Sequence, residues 1–267
     1  MPYARNGSLR VYYESAGQGP PVLLIMGQGL SLEAGWRTVE ALSSRFRVIS
    51  FDNRDMGRSD RALLPYVVPQ LARDAIAVLD AAREPRAHVY GISLGGMIAQ
   101  EVALRHRDRV LSLVLGATSP GGPHAVPMDA RVLTFFARVG AMGAEEAEWA
   151  AVPYSYGRRT RRQHGDRIAE DIARRLEHSP DTIAYLHQVA AAAAHSTQAR
   201  LGEITAPTLV VHGAQDKLQA ARNAQLLASG IRDAELAIWP DAGHVYVTDE
   251  PEADVAVARF LDRHRPR

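Results

Sequence analysis

The stretch AHVYGISLGGMIAQEVAL (87–104) sets Ser93 between Gly91 and Gly95. A serine hydroxyl attacks a carbonyl only when a neighbouring base takes its proton. Of the ten histidines, His244 in WPDAGHVYVTDEP has the placement for that task, in a loop between an apolar run and the last helical segment. An imidazole base needs an acid to hold its tautomer and to stabilise the imidazolium. Asp216, just past the apolar run of LVVHGAQDKL, has that placement. Negative charge developing on a substrate oxygen needs aimed N–H donors. The Leu94 amide, opening a helix directly after Ser93, is one candidate. The Gln28 amide, in MGQGL between Gly27 and Gly29, is the other. Each feature also has a plain reading: a flexible turn, a surface histidine, a helix-capping aspartate, a glycine-rich bend.

The flanking elements decide between these readings. LRVYYES (9–15) alternates like a strand with one wet face. PVLLIMG (21–27), FRVISFD (46–52) and AHVYGIS (87–93) read as the short apolar runs of buried strands, and VLSLVLGAT (110–118), APTLVVHGA (206–214) and AELAIWP (234–240) as further strands. Helical spacing falls at 33–45, 69–82, 94–106, 219–229 and about 251–264. The alternation predicts an α/β protein, a mostly parallel sheet flanked by helices. Ser93, Asp216, His244 and Gln28 all follow strands, so all four are expected at the carboxyl edge where such sheets bind ligands. Gly91 and Gly95 provide the clearance that a tight strand-to-helix turn at Ser93 needs.

Between about 119 and 200 the alternation stops. Helical segments are expected at 128–140, 143–151, 165–178 and 181–195, with no convincing strand. This predicts a core of residues 1–118 and 200–267 carrying a helical cap at 119–199. Phe135, Phe136, Trp149, Tyr154, Tyr185 and Val245 are the candidate pocket-lining residues, although such side chains also pack helices together. GRRTRRQHGDR (157–167) is read as a solvated basic turn, balanced by acidic residues at 145–148 and 169–178.

Composition narrows the function classes. The 267 residues carry a formal net charge of +1, which argues against nucleic acid or an anionic membrane surface as a partner. There is no cysteine, and the first 17 residues lack the apolar core of a signal peptide, so a cytoplasmic setting is expected. No ligand-spaced cluster or phosphate-binding glycine loop implies a metal or cofactor. The expected partner is a small molecule.

The order Ser93, Asp216, His244 resembles that of the α/β-hydrolase fold superfamily. FDNRDMGRSD (51–60) resembles that family's Asp-x-Arg-Gly-x-Gly-x-Ser loop at Asp52, Arg54, Gly57 and Ser59. Asp55 stands where a glycine is usual. Met26-Gly27 replaces the common His-Gly before the oxyanion residue, which is similar to bacterial aromatic-polyketide (anthracycline) methyl esterases. The resemblance covers residues 8–118 and 200–264. It implies a serine esterase acting through an acyl-enzyme on an ester, lactone or thioester of a small to medium, largely apolar substrate. Perhydrolysis, carbon–carbon bond hydrolysis, a non-hydrolytic biosynthetic reaction and a receptor-like binder with little turnover are the alternatives.

Overall fold

The computed structural model describes residues 2–139 and 142–266. Among the described residues eight strands form one sheet: β1 (Tyr3–Asn6), β2 (Leu9–Ala16), β3 (Pro21–Ile25), β4 (Arg47–Phe51), β5 (Ala87–Ile92), β6 (Val110–Gly116), β7 (Thr208–Gly213) and β8 (Glu235–Trp239). Their order is β1-β2-β4-β3-β5-β6-β7-β8. β1/β2 and β2/β4 pair antiparallel and the remaining pairs are parallel.

The apolar runs of β3 to β7 are continuous because both faces of these strands are covered, whereas β8 at the edge is half-exposed. Leu23, Ile25, Ile49, Val89 and Leu115 pack on one face, against α2 (Val68–Ala81), α3 (Leu94–Arg105) and α9 (Ala221–Gly230). Val22, Leu24, Val48, Tyr90 and Val114 point the other way, against α1 (Trp36–Ser43) and α11 (Glu252–Arg263). Alternate residues thus serve opposite cores, as the two-residue strand period requires.

β3 lies between β4 and β5, so the chain leaves the centre of the sheet first to one side and then to the other. The crevice at such a reversal, beyond the carboxyl ends of the strands, is the natural ligand site of a doubly wound sheet. Here it is formed by the ends of β3 and β5, which pair Ile25 with Gly91. The glycine loop at 27–29 and Ser93 directly follow those two residues.

Between β6 and β7 the chain inserts α4 (Ala130–Val139), α5 (Ala144–Ser155), α6 (Arg158–Gln163), α7 (Gly165–Leu176) and α8 (Thr182–Ala193). The insertion leaves and re-enters through a bridge between Gly121 and Ser196. Its own buried cluster is Tyr156, Ile168 and Ile172. Among the described residues no helix is long and apolar enough to cross a membrane.

The structure departs from the sequence expectation in three places. β1 is an added edge strand, joined to β2 by the two-residue turn Gly7-Ser8, in which Gly7 has φ +63°; glycine at the first turn position followed by serine is the local signal for such a hairpin. The basic run at 157–167 is α6 and the start of α7 rather than a turn. Its Arg159 pairs at 2.6 Å with Glu250, outside both acidic stretches expected to balance it. A four-residue helix, α10 (Tyr246–Asp249), follows the histidine loop. The end of the helix expected at 128–140 lies outside the described residues.

Candidate active site

Ser93 sits at the junction of β5 and α3 with φ +58° and ψ −120°, a backbone region that side chains occupy at a cost and that recurs at functional turns. Hydrogen bonds of its own peptide groups hold it there. Its N–H donates to the Gly116 carbonyl at 2.9 Å. Its carbonyl accepts from the Thr118 hydroxyl at 2.7 Å and from the Gly96 N–H at 2.9 Å. The glycines work by close approach. A Cβ on Gly91 would stand 2.1 Å from the Gly95 carbonyl oxygen, and one on Gly95 would stand 2.0 Å from the Ile25 carbonyl oxygen. The obstacles are backbone atoms and cannot swing away. Gly95→Ala is therefore expected to lose roughly 3 kcal/mol or more of stability. Gly165→Ala, where nothing lies within 4 Å, is the control, and should leave the thermal midpoint the same or slightly higher. Equal midpoints for the two variants would refute the packing argument.

Leu94 is buried and begins α3. Its N–H belongs to the first turn, which has no preceding helical carbonyl to accept it, and it can serve an anion. Gly27 approaches Ser93 so closely that an added Cβ would lie 3.1 Å from the Ser93 Cβ. The Gln28 amide thus follows a residue in contact with the serine. Gly29 has φ +71°.

Asp216 lies in the loop after β7, with its carboxylate fully buried. Oδ1 accepts from the backbone N–H groups of Leu218 at 2.8 Å and Gln219 at 2.9 Å. Oδ2 faces His244 Nδ1 at 2.8 Å and His212 Nε2 at 3.1 Å. Burial pushes the Asp216 carboxyl up, but the charge of His244 and the hydrogen bonds from both histidines outweigh it and hold it at about 2. It is a carboxylate at any physiological pH, able to fix the His244 Nδ1–H tautomer and leave Nε2 free for a proton. The hydrogen bond that His244 forms is the one to Asp216; its bond to a nucleophile often tightens only with substrate.

His212 is a site neighbour that the sequence reading passes over. It is buried on β7, and its Nε2 lies 2.8 Å from the Gln219 carbonyl as well as 3.1 Å from Asp216 Oδ2. Both partners are acceptors, so Nε2 carries a proton. The available signal was its place four residues before Asp216 in HGAQD. The histidine loop is tied down by Asp249, whose Oδ2 accepts from Gly243 N–H at 2.7 Å and Gly157 N–H at 2.8 Å.

The FDNRDMGRSD stretch braces the glycine loop from behind. Asp52 Oδ1 accepts from Leu32 N–H at 2.8 Å and Oδ2 from Arg58 N–H at 2.9 Å. Asn53 Nδ2 donates to the Met26 carbonyl at 3.2 Å. Arg54 forms a two-pronged, buried pair with Asp74 at 2.6 and 2.7 Å. Asp55, the departure from the family pattern, has φ +72° and meets His187 of α8 at 3.1 Å.

The candidate pocket residues do not form one group. Phe135 packs against Phe136 and Tyr154, with ring centroids 5.0 and 4.8 Å apart. Trp149 is 45% exposed. Val245 packs on the small cluster of Tyr156, Ile168 and Ile172. Tyr185 lies against the glycine loop: a Cβ on Gly29 would meet its ring at 3.2 Å. Burial raises the Tyr185 phenol, and its neighbour Gln28 pulls it partly back.

Comparison with known proteins gives the family of the fold. The profile of the family described as alpha/beta hydrolase fold matches residues 20–251. "Putative carbamate hydrolase RutD" of Azorhizobium caulinodans is 34% identical, the alignment covering 94% of each chain. A poly(3-hydroxyalkanoate) depolymerase of Ectopseudomonas oleovorans is 32% identical over 92% of this chain and 86% of its own. The solved structure of Est816, an N-acyl homoserine lactone degrading enzyme, superposes with a TM-score of 0.80 at 27% identity, covering 98% of this chain and 99% of its own. By sequence profile, full-length relatives and architecture, this chain belongs to the α/β hydrolase fold family of hydrolases.

Proposed function

We propose that this hydrolase is a serine enzyme that cleaves an ester or lactone of a small to medium, largely apolar substrate. The observation that carries the reading is the fixed Asp216–His244 pair, 2.8 Å apart, in a loop at the same sheet edge as the strained Ser93 turn. His244 Nε2 takes the Ser93 proton as Oγ attacks the carbonyl carbon. The Leu94 and Gln28 N–H groups bind the oxyanion, and His244 returns the proton to the leaving oxygen. Water, deprotonated by the same nitrogen, then releases the acid from the acyl-enzyme. The helices between β6 and β7 act as a cap over the site. The ester and lactone preference draws on the names of the depolymerase and lactone-degrading relatives and on the likeness of the Met26-Gly27 and Asp52–Ser59 stretches to aromatic-polyketide methyl esterases.

A second reading, carbamate hydrolysis, draws on the name of the RutD relative. It needs the same groups but attacks a carbonyl deactivated by nitrogen. The two separate on a panel of p-nitrophenyl butyrate, an N-acyl homoserine lactone and an alkyl carbamate, with stoichiometric labelling by a fluorophosphonate. We expect one serine labelled and ester or lactone preferred over carbamate by about 100-fold or more in kcat/KM, about 3 kcal/mol in the barrier. The reverse order selects the carbamate reading. An unlabelled protein without turnover refutes both.

A further inference from the structure

The loop carrying Gln28 is clamped by a side chain from the inserted helices. Gln188, on α8, is fully buried, and its Oε1 accepts from the Gly29 N–H at 2.7 Å. Its Nε2 donates to the Arg54 carbonyl in a long bond of 3.4 Å. The orientation of the amide is forced, because Gly29 N–H can only donate and Arg54 C=O can only accept. Gln188 thereby ties together the glycine loop at 27–30 and the loop at 53–56, one turn away from Tyr185, whose ring crosses Gly29.

The bond falls on the peptide that decides the shape of the loop. Leu30 N–H reaches back to the Gly27 carbonyl at 3.4 Å, and Gly29 has φ +71°. This is a type II turn with Gln28 and Gly29 at its centre. Its alternative, type I, differs by a flip of the Gln28–Gly29 peptide, and glycine adopts either form at little cost. After the flip the Gln28 carbonyl oxygen would face Gln188 Oε1, acceptor against acceptor. The Gln28 ψ angle would also change beside the very N–H that the oxyanion needs.

We infer that Gln188 is a positioning residue for the oxyanion hole, holding the Gln28–Gly29 turn in its type II form, so that the inserted helices complete the catalytic loop as well as covering it. The inference rests on the proposed oxyanion role of Gln28. It also gives the insertion a part in turnover that does not depend on which substrate it admits.

The test compares Gln188→Met, similar in size but unable to accept the bond, with Gln188→Glu, whose carboxyl, kept protonated by burial, offers an acceptor to Gly29 N–H and a donor to the Arg54 carbonyl. Two readouts are used: steady-state hydrolysis of p-nitrophenyl butyrate, and amide hydrogen exchange at Gly29 with α7 as internal reference. Gln188→Met should lower kcat roughly 10- to 100-fold, less than outright loss of an oxyanion donor, with KM changed by less than about 3-fold. Its Gly29 exchange should rise about 10-fold or more over wild type, with α7 unchanged. Gln188→Glu should recover most of both. Unchanged kcat and Gly29 exchange in Gln188→Met overturn the inference. So does a loss that Gln188→Glu does not reverse, or one accompanied by faster exchange throughout α7, since either marks general loosening. If the wild type neither turns over nor takes the fluorophosphonate, the hydrolase reading has failed, and the catalytic inference falls with it. Gly29 exchange would then still report whether the clamp exists.

Discussion

Ser93→Ala is expected to lower turnover of p-nitrophenyl butyrate by roughly 10⁴- to 10⁶-fold and to abolish fluorophosphonate labelling. The fold should hardly respond. Ser93 is fixed through its own N–H and C=O, to Gly116, Thr118 and Gly96, and alanine keeps all three bonds. The thermal midpoint of Ser93→Ala should therefore correspond to within about 1 kcal/mol of wild type. Ser93→Gly separates the chemical role from the conformational one. At φ +58° and ψ −120° glycine rests in a favoured region, the first central position of a type II′ turn. Ser93→Gly should be equally inactive yet more stable, by about 1 kcal/mol after its larger unfolded-state entropy is subtracted. Adding His244→Ala to Ser93→Ala should cost nothing further in kcat, because the pair acts as one unit. Retained turnover in Ser93→Ala, or additive losses in the double variant, would show that the chemistry runs elsewhere.

Asp216→Asn should lower kcat by about 10³- to 10⁴-fold with little change in KM. The geometry dictates how. Oδ1 is pinned by two backbone donors, the N–H groups of Leu218 and Gln219, so the amide oxygen of asparagine must take that position. The NH₂ group is then forced into the place of Oδ2, opposite His244 Nδ1 at 2.8 Å. An NH₂ group can only donate, so Nδ1 loses its proton and Nε2 gains one. The imidazole becomes a donor toward Ser93 and cannot act as its base. The same NH₂ also opposes His212 Nε2–H, which keeps its bond to the Gln219 carbonyl. Labelling by fluorophosphonate should slow in parallel with kcat, since both need the deprotonated serine. A loss of less than 10-fold would mean that His244 does not depend on Asp216 for its tautomer. A large rise in KM instead would mark Asp216 as a binding residue.

The low carboxyl of Asp216, at about 2, also fixes a direction in stability. A group held below its unfolded value stabilises the folded state above that value. Its contribution is present above about pH 4 and is lost as the pH falls through about 2.

The sheet was legible because its signals are local. Five short apolar runs, each buried on both faces, mark β3 to β7 without reference to any other part of the chain, and the helical spacing of α2 and α3 does the same. β1 escaped because four residues at an edge, one face of them wet, carry too little apolar pattern to register. Its one local mark is the turn pair Gly7-Ser8. The basic stretch at 158–163 is rightly read as solvated, with Arg158, Arg159 and Arg162 exposed, but its helix escaped. Nothing local announces that Arg159 will find Glu250, 91 residues away.

The site divides along the same line. Ser93, Asp216 and His244 could be named from residue type and from their positions after strands, because in a parallel sheet every such loop emerges at one edge. Chain order was enough to bring them there. Chain order could not say that Oδ1 of Asp216 is committed to backbone donors while Oδ2 serves two histidines, nor that His212 rather than any other buried histidine shares it. Gln188 is the extreme case. It lies 159 residues from Gly29, in a helix whose sequence shows only that it is helical, and its significance comes from one 2.7 Å bond. Periodicity and turn chemistry act over a few residues, and they settle which elements form and where the strand-to-helix turn at Ser93 falls. Contacts between elements depend on how the helices dock, so the clamp on the glycine loop exists only once the chain is folded.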